Sequence, residues 1–438
     1  MRRYRLMKAA VPWIVCAAAL VATLGTASTA AAQVYPTVKR HLTGPLQICD
    51  QGSFFVGGVP KTTQYANSVT AGSWQELIIG QMYVQFQVPQ DARKWPLIMV
   101  HGGGYTGSCL ESTPDGHEGW FSYAVRNKLA TYVVDQAGRG RSGFDRSFIN
   151  EAIATGDLAG FPNLGNTSSS GIWTAWFGHI IPAGADIITG TMIRHGDPGD
   201  PQCVTDPEHC TYHPAQMIPP LPNTVDPNIE ARVGAIGPEP NAANDSYLAL
   251  QHYKWGVPNT NVTLPTLTCS TCNPTNPPPA DSWSGRDLAE LVEGLGGAIV
   301  ATHSQSGSVG HHMVRFLKED GQLNLLKGLI TIEGSCSLTQ SGLTAADFDG
   351  IPYLAFKGWY AAPSQVCVNT VAAINARGGK ADYIGLDDPA YGTRFQGVTH
   401  MMMMSTKSLE VFDEILKWVN KNIKNPPAHG KCGPEGKN

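Results

Sequence analysis

The chain has 438 residues, 42% of them hydrophobic and 15% charged, with a formal net charge of -4. That balance describes a folded globular protein long enough to bury a sizeable core. It shows no basic footprint, which argues against a nucleic-acid partner, and its 48 glycines and 31 prolines mean that much of the chain is loop.

The first residues read as an export signal: Arg2, Arg3, Arg5 and Lys8, an apolar run from Ala9 to about Leu24, and Ala30-Ala31-Ala32 before Gln33. Cleavage after Ala32 is expected, giving a signal at 1–32. An uncleaved anchor is the competing reading, but the run ends in small residues rather than in a charged stop. No other stretch is long enough to span a bilayer, so the mature protein is expected outside the cytoplasm without a stable membrane anchor. The signal would remove Cys16 from the ten cysteines. An oxidising compartment favours pairing of most of the others, with at least one left over. Cys203 with Cys210 and Cys269 with Cys272 are spaced for small loops or cross-links. Zinc, helped by His209 and His213, is the alternative for these four, and export disfavours it.

Residues 53–62 and 81–88 have strand length and pattern and predict a hairpin or paired strands. Trp95 to Val100 is a buried-type strand running into His101-Gly-Gly-Gly-Tyr-Thr-Gly107. A helix-like segment follows near Trp120 to Leu129, then a strand over Thr131 to Asp135 that ends in Gln136-Ala-Gly-Arg-Gly-Arg-Ser-Gly143. Strand, helix and strand at this spacing predict a parallel βαβ unit. From 146 to 282 the pattern dissolves into Pro, Gly, Asn and Thr with scattered tryptophans. A structureless stretch of that length is uncommon inside a compact domain, so it is read as an ordered cap insertion. It divides a core at 33–145 from a second part at 283–438. Order resumes with a helix near Asp287, a strand from Ala298, a helix over Val309 to Glu319, and strands over Leu326 to Glu333, Ile351 to Phe356 and Ala381 to Gly385. Helices over Val368 to Arg377 and Ser405 to Ile423 complete a doubly wound, mostly parallel α/β sheet.

Chemistry concentrates at Thr302-His-Ser304-Gln-Ser306, where the strand from Ala298 turns sharply into a helix. A serine at the apex of such a turn projects its hydroxyl from the sheet edge if its neighbours are small; threonine and serine here replace the usual flanking glycines. A nucleophilic serine needs a base, an acid to orient the base, and donors for the developing oxyanion. Among the downstream histidines, His311 and His312 lie on the following helix and His429 in a Pro/Gly/Lys-rich tail, whereas His400 sits on the loop after the last strand. Glu333 ends the strand after the elbow and is the best-placed acid, with Asp387 and Asp388 in reserve. One amide from Gly103 or Gly104 would join that of Gln305 as oxyanion donors. The Met401–Met404 run reads as packing rather than a sulfur site.

With these motifs in view, the chain resembles the α/β-hydrolase superfamily and, within it, the bacterial esterase 713-like group. The residues that carry the likeness are Gln81-Met-Tyr-Val, His101-Gly with Thr106-Gly107, Gln136 to Ser142, the His303-Ser304-Gln305-Ser306-Gly307 elbow, Ile332-Glu333-Gly334 and His400-Met401. They cover about 53–145 and 285–423. The resemblance implies an α/β-hydrolase fold and carboxylic ester hydrolysis with Ser304, Glu333 and His400 as the triad. The expectation is a secreted serine esterase acting on a small-molecule ester without cofactor or metal, with Tyr105, Trp173, Trp176 and Trp359 lining the pocket and a homodimer as the assembly to test. Acyl transfer, amide or lactone hydrolysis on the same triad, and a non-catalytic binding protein on this scaffold remain alternatives, because a fold does not fix a reaction.

Overall fold

The computed structural model describes residues 42–66, 68–157, 169–181, 191–194 and 283–428. The expected signal, Cys203, Cys210, Cys269, Cys272, His209, His213 and His429 lie outside them.

Eight strands form one mixed sheet in the order β1-β2-β4-β3-β7-β8-β9-β10. They are β1 (Ile48–Thr63), β2 (Gln75–Pro89), β3 (Leu97–Val100), β4 (Thr131–Asp135), β7 (Ala298–His303), β8 (Leu326–Ile332), β9 (Tyr353–Lys357) and β10 (Ala381–Gly385). The hairpin β1–β2 and the β2–β4 pair are antiparallel; every other pair is parallel. The central strands β3 and β7 are buried at every residue. Parallel strands covered on both faces read as continuous apolar runs, and these do.

Alternate side chains on each strand enter different cores, as the two-residue pleat requires. Leu97, Met99, Ile299 and Ala301 join a cluster with α2 (Trp120–Arg126) and α8 (Ser408–Asn422). Ile98, Val100, Ala298 and Val300 join another with α5 (Trp283–Gly294), α6 (Ser306–Glu319) and α7 (Gln365–Ala376). Helices therefore cover both faces, as expected of a doubly wound sheet. On the first face the Trp120 and Phe412 rings stack with centroids 4.9 Å apart, and Trp120 Nε1 donates to Ser408 O at 3.0 Å. Burying a side chain such as Phe412 contributes about 1.5–3 kcal/mol. Met401 to Met404 are all buried in the same cluster and act as packing.

The described parts of the 146–282 interval are α3 (Ser147–Thr155), α4 (Ser169–Trp176) and a two-stranded hairpin, β5 (Gly178–Ile181) with β6 (Thr191–Arg194). A short helix α1 (Ser108–Glu111) follows the glycine loop after β3. Cys336 and Cys367 form a disulfide, Cys49 is also disulfide-bonded, and Cys109 is free and buried.

The chain leaves β3 toward β4 on one side, and from β7 it proceeds to β8, β9 and β10 on the other. The strand order thus reverses between β3 and β7. Open α/β sheets open a crevice at the carboxyl ends of strands where the order reverses. His101 follows β3 and Ser304 follows β7, one on each side of that crevice.

Candidate active site

Ser304 sits between β7 and α6 with φ +56°, in the left-handed region that side-chain-bearing residues rarely occupy. Such a conformation costs about 1–3 kcal/mol and persists only where the surroundings over-determine it. They do so here. Ser304 N–H donates to Ile332 O at 2.9 Å and Gly307 N–H returns to Ser304 O at 2.9 Å. Ser306 Oγ accepts from His303 N–H at 2.9 Å and donates toward the carbonyls of His303 (2.8 Å) and Val100 (3.0 Å).

Close packing at the elbow calls for glycine at 307 and 310. A Cβ at Gly307 would meet Ser335 N at 2.6 Å, and one at Gly310 would meet Thr302 Cγ2 at 2.9 Å. Thr302 is tolerated because glycine faces it. α6 begins at Ser306, three residues before the expected Val309.

Glu333 follows β8, also with positive φ (+43°). Its Oε2 lies 2.5 Å from His400 Nδ1, and its Oε1 accepts from Gly358 N–H at 2.5 Å. A Cβ at Gly358 would stand 2.6 Å from Oε1, so only glycine admits the carboxylate there. Burial pushes the Glu333 carboxyl upward, but the hydrogen bond and charge of His400, with the Gly358 amide, hold it below its ordinary value. With a carboxylate on Nδ1, the ring presents Nε2 as its basic nitrogen. The reserve acids are engaged elsewhere: Asp387 pairs with the buried Lys357 at 2.8 Å, and Asp388 accepts from Ala390 N–H at 2.8 Å.

His303 links the two halves. Its Nε2–H donates to His400 O at 3.0 Å, and the two imidazole centroids are 4.7 Å apart. Burial, then the neighbouring His400, pushes the His303 imidazole down to about 3, so it is neutral. Ser304 Oγ makes no hydrogen bond to a described residue; such contacts are often long in unliganded sites and tighten with substrate.

The glycine loop after β3 is pinned at both ends. His101 Nδ1–H donates to Gly102 O at 2.7 Å, while Nε2 accepts from Gln136 N–H at 3.1 Å. Burial pushes His101 down to about 4, which keeps this neutral tautomer. At the far end Gly107 N–H donates to Asp135 Oδ1 at 2.7 Å. Gly102 lies against the elbow, where a Cβ would come within 2.9 Å of Ser304 Cβ. Gly104 has φ +70°. Neither the Gly103 nor the Gln305 backbone N–H is donated to a described residue.

Of the four expected lining residues, Trp176 is half-buried and its ring centroid is 6.4 Å from that of His400. Tyr105 packs on Trp176 at 5.0 Å and is buried. Trp173 is fully buried, 5.6 Å from Phe177, and Trp359 is buried in the same cluster, so both occupy core positions rather than an exposed wall. His311 on α6 is engaged elsewhere: its Nδ1 lies 2.7 Å from Gly307 O and its Nε2 3.3 Å from Tyr353 OH. His303, His101, Gln136 and Arg139 had no role in the sequence reading. All sit in the quoted motifs, but their contacts join segments far apart in the chain.

A bacterial esterase of known structure superposes with a TM-score of 0.62 and 26% identity, covering 88% of this chain and 99% of its own. The fold is that of the α/β-hydrolases. A probable secreted lipase, phiG, from a fungal species (strain ATCC 74256) is 23% identical over 390 residues, 78% of this chain and 86% of its own length. No protein-family model matches. The proteins this chain is similar to are thus esterases and lipases, that is, carboxylic ester hydrolases.

Proposed function

We propose that the chain is a secreted serine esterase that hydrolyses carboxylic esters through an acyl-enzyme. The observation that carries this reading is the Glu333–His400 contact at 2.5 Å, set beside a serine held at φ +56° on the carboxyl edge of the sheet. His400 Nε2 takes the Ser304 proton as Oγ attacks the ester carbonyl, then returns it to the leaving alkoxide. Water deprotonated by the same nitrogen attacks the acyl-enzyme and releases the acid and free Ser304. Glu333 keeps the tautomer and stabilises the imidazolium. The Gln305 amide, with that of Gly103 or Gly104, receives the oxyanion; one such donor is worth about 3 kcal/mol of transition-state stabilisation.

The likeness to a secreted lipase and the Cys336–Cys367 disulfide support export, since disulfides persist in oxidising compartments. The secreted protein is expected to begin at Gln33 on N-terminal sequencing. A fluorophosphonate probe should label native protein at Ser304 and not the Ser304→Ala variant. Native protein that resists labelling and hydrolyses no p-nitrophenyl ester of any acyl length would rule the esterase out.

A further inference from the structure

Two arginines in the turn after β4 lie two residues apart, and their charges are treated oppositely. Arg141 is exposed to solvent, yet it has two carboxylates. Its Nε donates to Asp135 Oδ2 at 2.8 Å, and its Nη2 to Asp135 Oδ1 at 3.0 Å and Glu111 Oε1 at 2.6 Å. Arg139 is 7% exposed and has none. Its side chain makes one hydrogen bond to a described residue, Nη1 to the neutral Gln305 Oε1 at 3.2 Å. No ion pair joins it to a described acid, and burial alone pushes the guanidinium down to about 10. Burying a cation without a partner is costly, so the arrangement needs a reason.

Its place supplies one. Gln305 directly follows Ser304, and its Oε1 also accepts from Gln136 Nε2 at 3.0 Å; Gln136 Nε2 in turn donates to His101 O at 2.7 Å. Arg139 is thereby fixed in the frame that holds the glycine loop beside the nucleophile. The guanidinium thus reaches the elbow through the side chain of the residue after Ser304, which suits a group displaced from the reacting carbonyl. A guanidinium fork matches a carboxylate with paired, charge-assisted hydrogen bonds.

We propose that Arg139 is an anion-recognition residue of the active site, and that the substrate is an ester bearing a free carboxylate, such as the half-ester of a dicarboxylic acid. This rests on the serine-esterase reading above. The missing counter-ion of Arg139 is then the substrate itself, which also selects against neutral esters, since these leave the cation unpaired.

The test measures kcat/KM of the mature protein on the monoethyl and diethyl esters of succinate, glutarate and adipate, following acid release in a pH-stat. The half-ester of at least one chain length is expected to be favoured at least tenfold. Arg139→Gln is expected to lower that ratio at least tenfold, mainly through KM of the half-ester, and Arg139→Lys to keep part of it. Free dicarboxylate of the favoured length should inhibit hydrolysis of a neutral p-nitrophenyl ester by the wild type, an arm that needs no variant. A wild type with no preference at any chain length and no such inhibition overturns the proposal. So does a ratio unchanged by Arg139→Gln, whether both esters slow together or neither does. A protein that fluorophosphonate does not label and that turns over no ester removes the esterase reading, and the Arg139 proposal with it.

Discussion

The interior of the sheet and its carboxyl edge are built by opposite rules. Below the edge, β3 and β7 bury every residue, and their apolar side chains divide between two cores. At the edge, at or just past the ends of β3, β4, β7 and β8, stand Ser304 and Glu333 with positive φ, the buried His101 and His303, and the buried cation of Arg139. His303 Nδ1 finds no hydrogen-bond partner among the described residues. Strained backbone and desolvated polar groups are tolerated only where a rigid surround supplies the stability they lack. The difference marks the edge as the place where stability has been exchanged for chemistry, and it is open to test from both sides.

The largest effect is expected at the edge. Glu333→Gln should lower ester turnover by about 10^4-fold, the scale on which a mis-set imidazole tautomer acts, or about 5 kcal/mol of barrier. Asp388→Asn should change it by less than a few fold, because Asp388 only caps a turn through Ala390 N–H. Equal, small effects in a kcat comparison of the two variants would remove Glu333 from its role. The interior should respond in stability instead. Phe412→Ala empties the position stacked on Trp120 and should cost about 3–5 kcal/mol in denaturant unfolding, with kcat of the folded fraction little changed. Gly307→Ala probes the seam between the two. Its methyl would enter the 2.6 Å approach to Ser335 N, and overpacking of this kind costs about 1–3 kcal/mol. Because Gly307 N–H holds Ser304 O, kcat should fall along with stability.

The interior was legible in the sequence because its rule is local. A strand buried on both faces is a continuous apolar run, and the parallel strands were found from their patterns, β4 and β10 with the bounds observed and the others within two residues, whereas β1 and β2 begin five and six residues earlier than expected. The Glu333 position was legible for the same reason, since a carboxylate ending such a run lands on the carboxyl edge. What separates Glu333 from Asp387 and Asp388 is pairing across the fold: His400 for the first, Lys357 and Ala390 N–H for the others. None of these three partners can be read from spacing. Arg139 and Arg141 look alike in Gly-Arg-Gly-Arg-Ser, and only tertiary burial distinguishes them. Aromatic residues are as common in cores as in pockets, and Trp173 and Trp359 belong to the core.

The smallest predicted effect sets edge and interior against each other through pH. His101 and His303 at the edge, and His311 behind it, are buried and neutral, with imidazoles pushed down by burial to about 4, about 3 and about 4. The unfolded chain takes up protons at these sites below about pH 6.5, so the unfolded state binds more protons and stability falls as pH drops from there toward 4. Asp287 of α5 works in the opposite sense. It is 1% exposed, burial pushes its carboxyl well up, and its Oδ2 has no hydrogen-bond partner among the described residues. It lies under Gly57 of β1, where φ is +65° and a Cβ would fall 1.9 Å from Oδ1. A carboxyl with a raised folded pKa contributes stability that is fully present below the unfolded value, about 3.9, and is lost as pH rises through the folded value. Asp287→Asn is neutral at every pH and should therefore gain stability over the wild type as pH rises, with the gap closing near pH 4. Denaturant midpoints of both proteins between pH 4 and 8 measure this. A gap that does not change with pH would mean that the Asp287 carboxyl is not the group titrating beneath the hairpin, and would leave only the acid limb, set by the histidines.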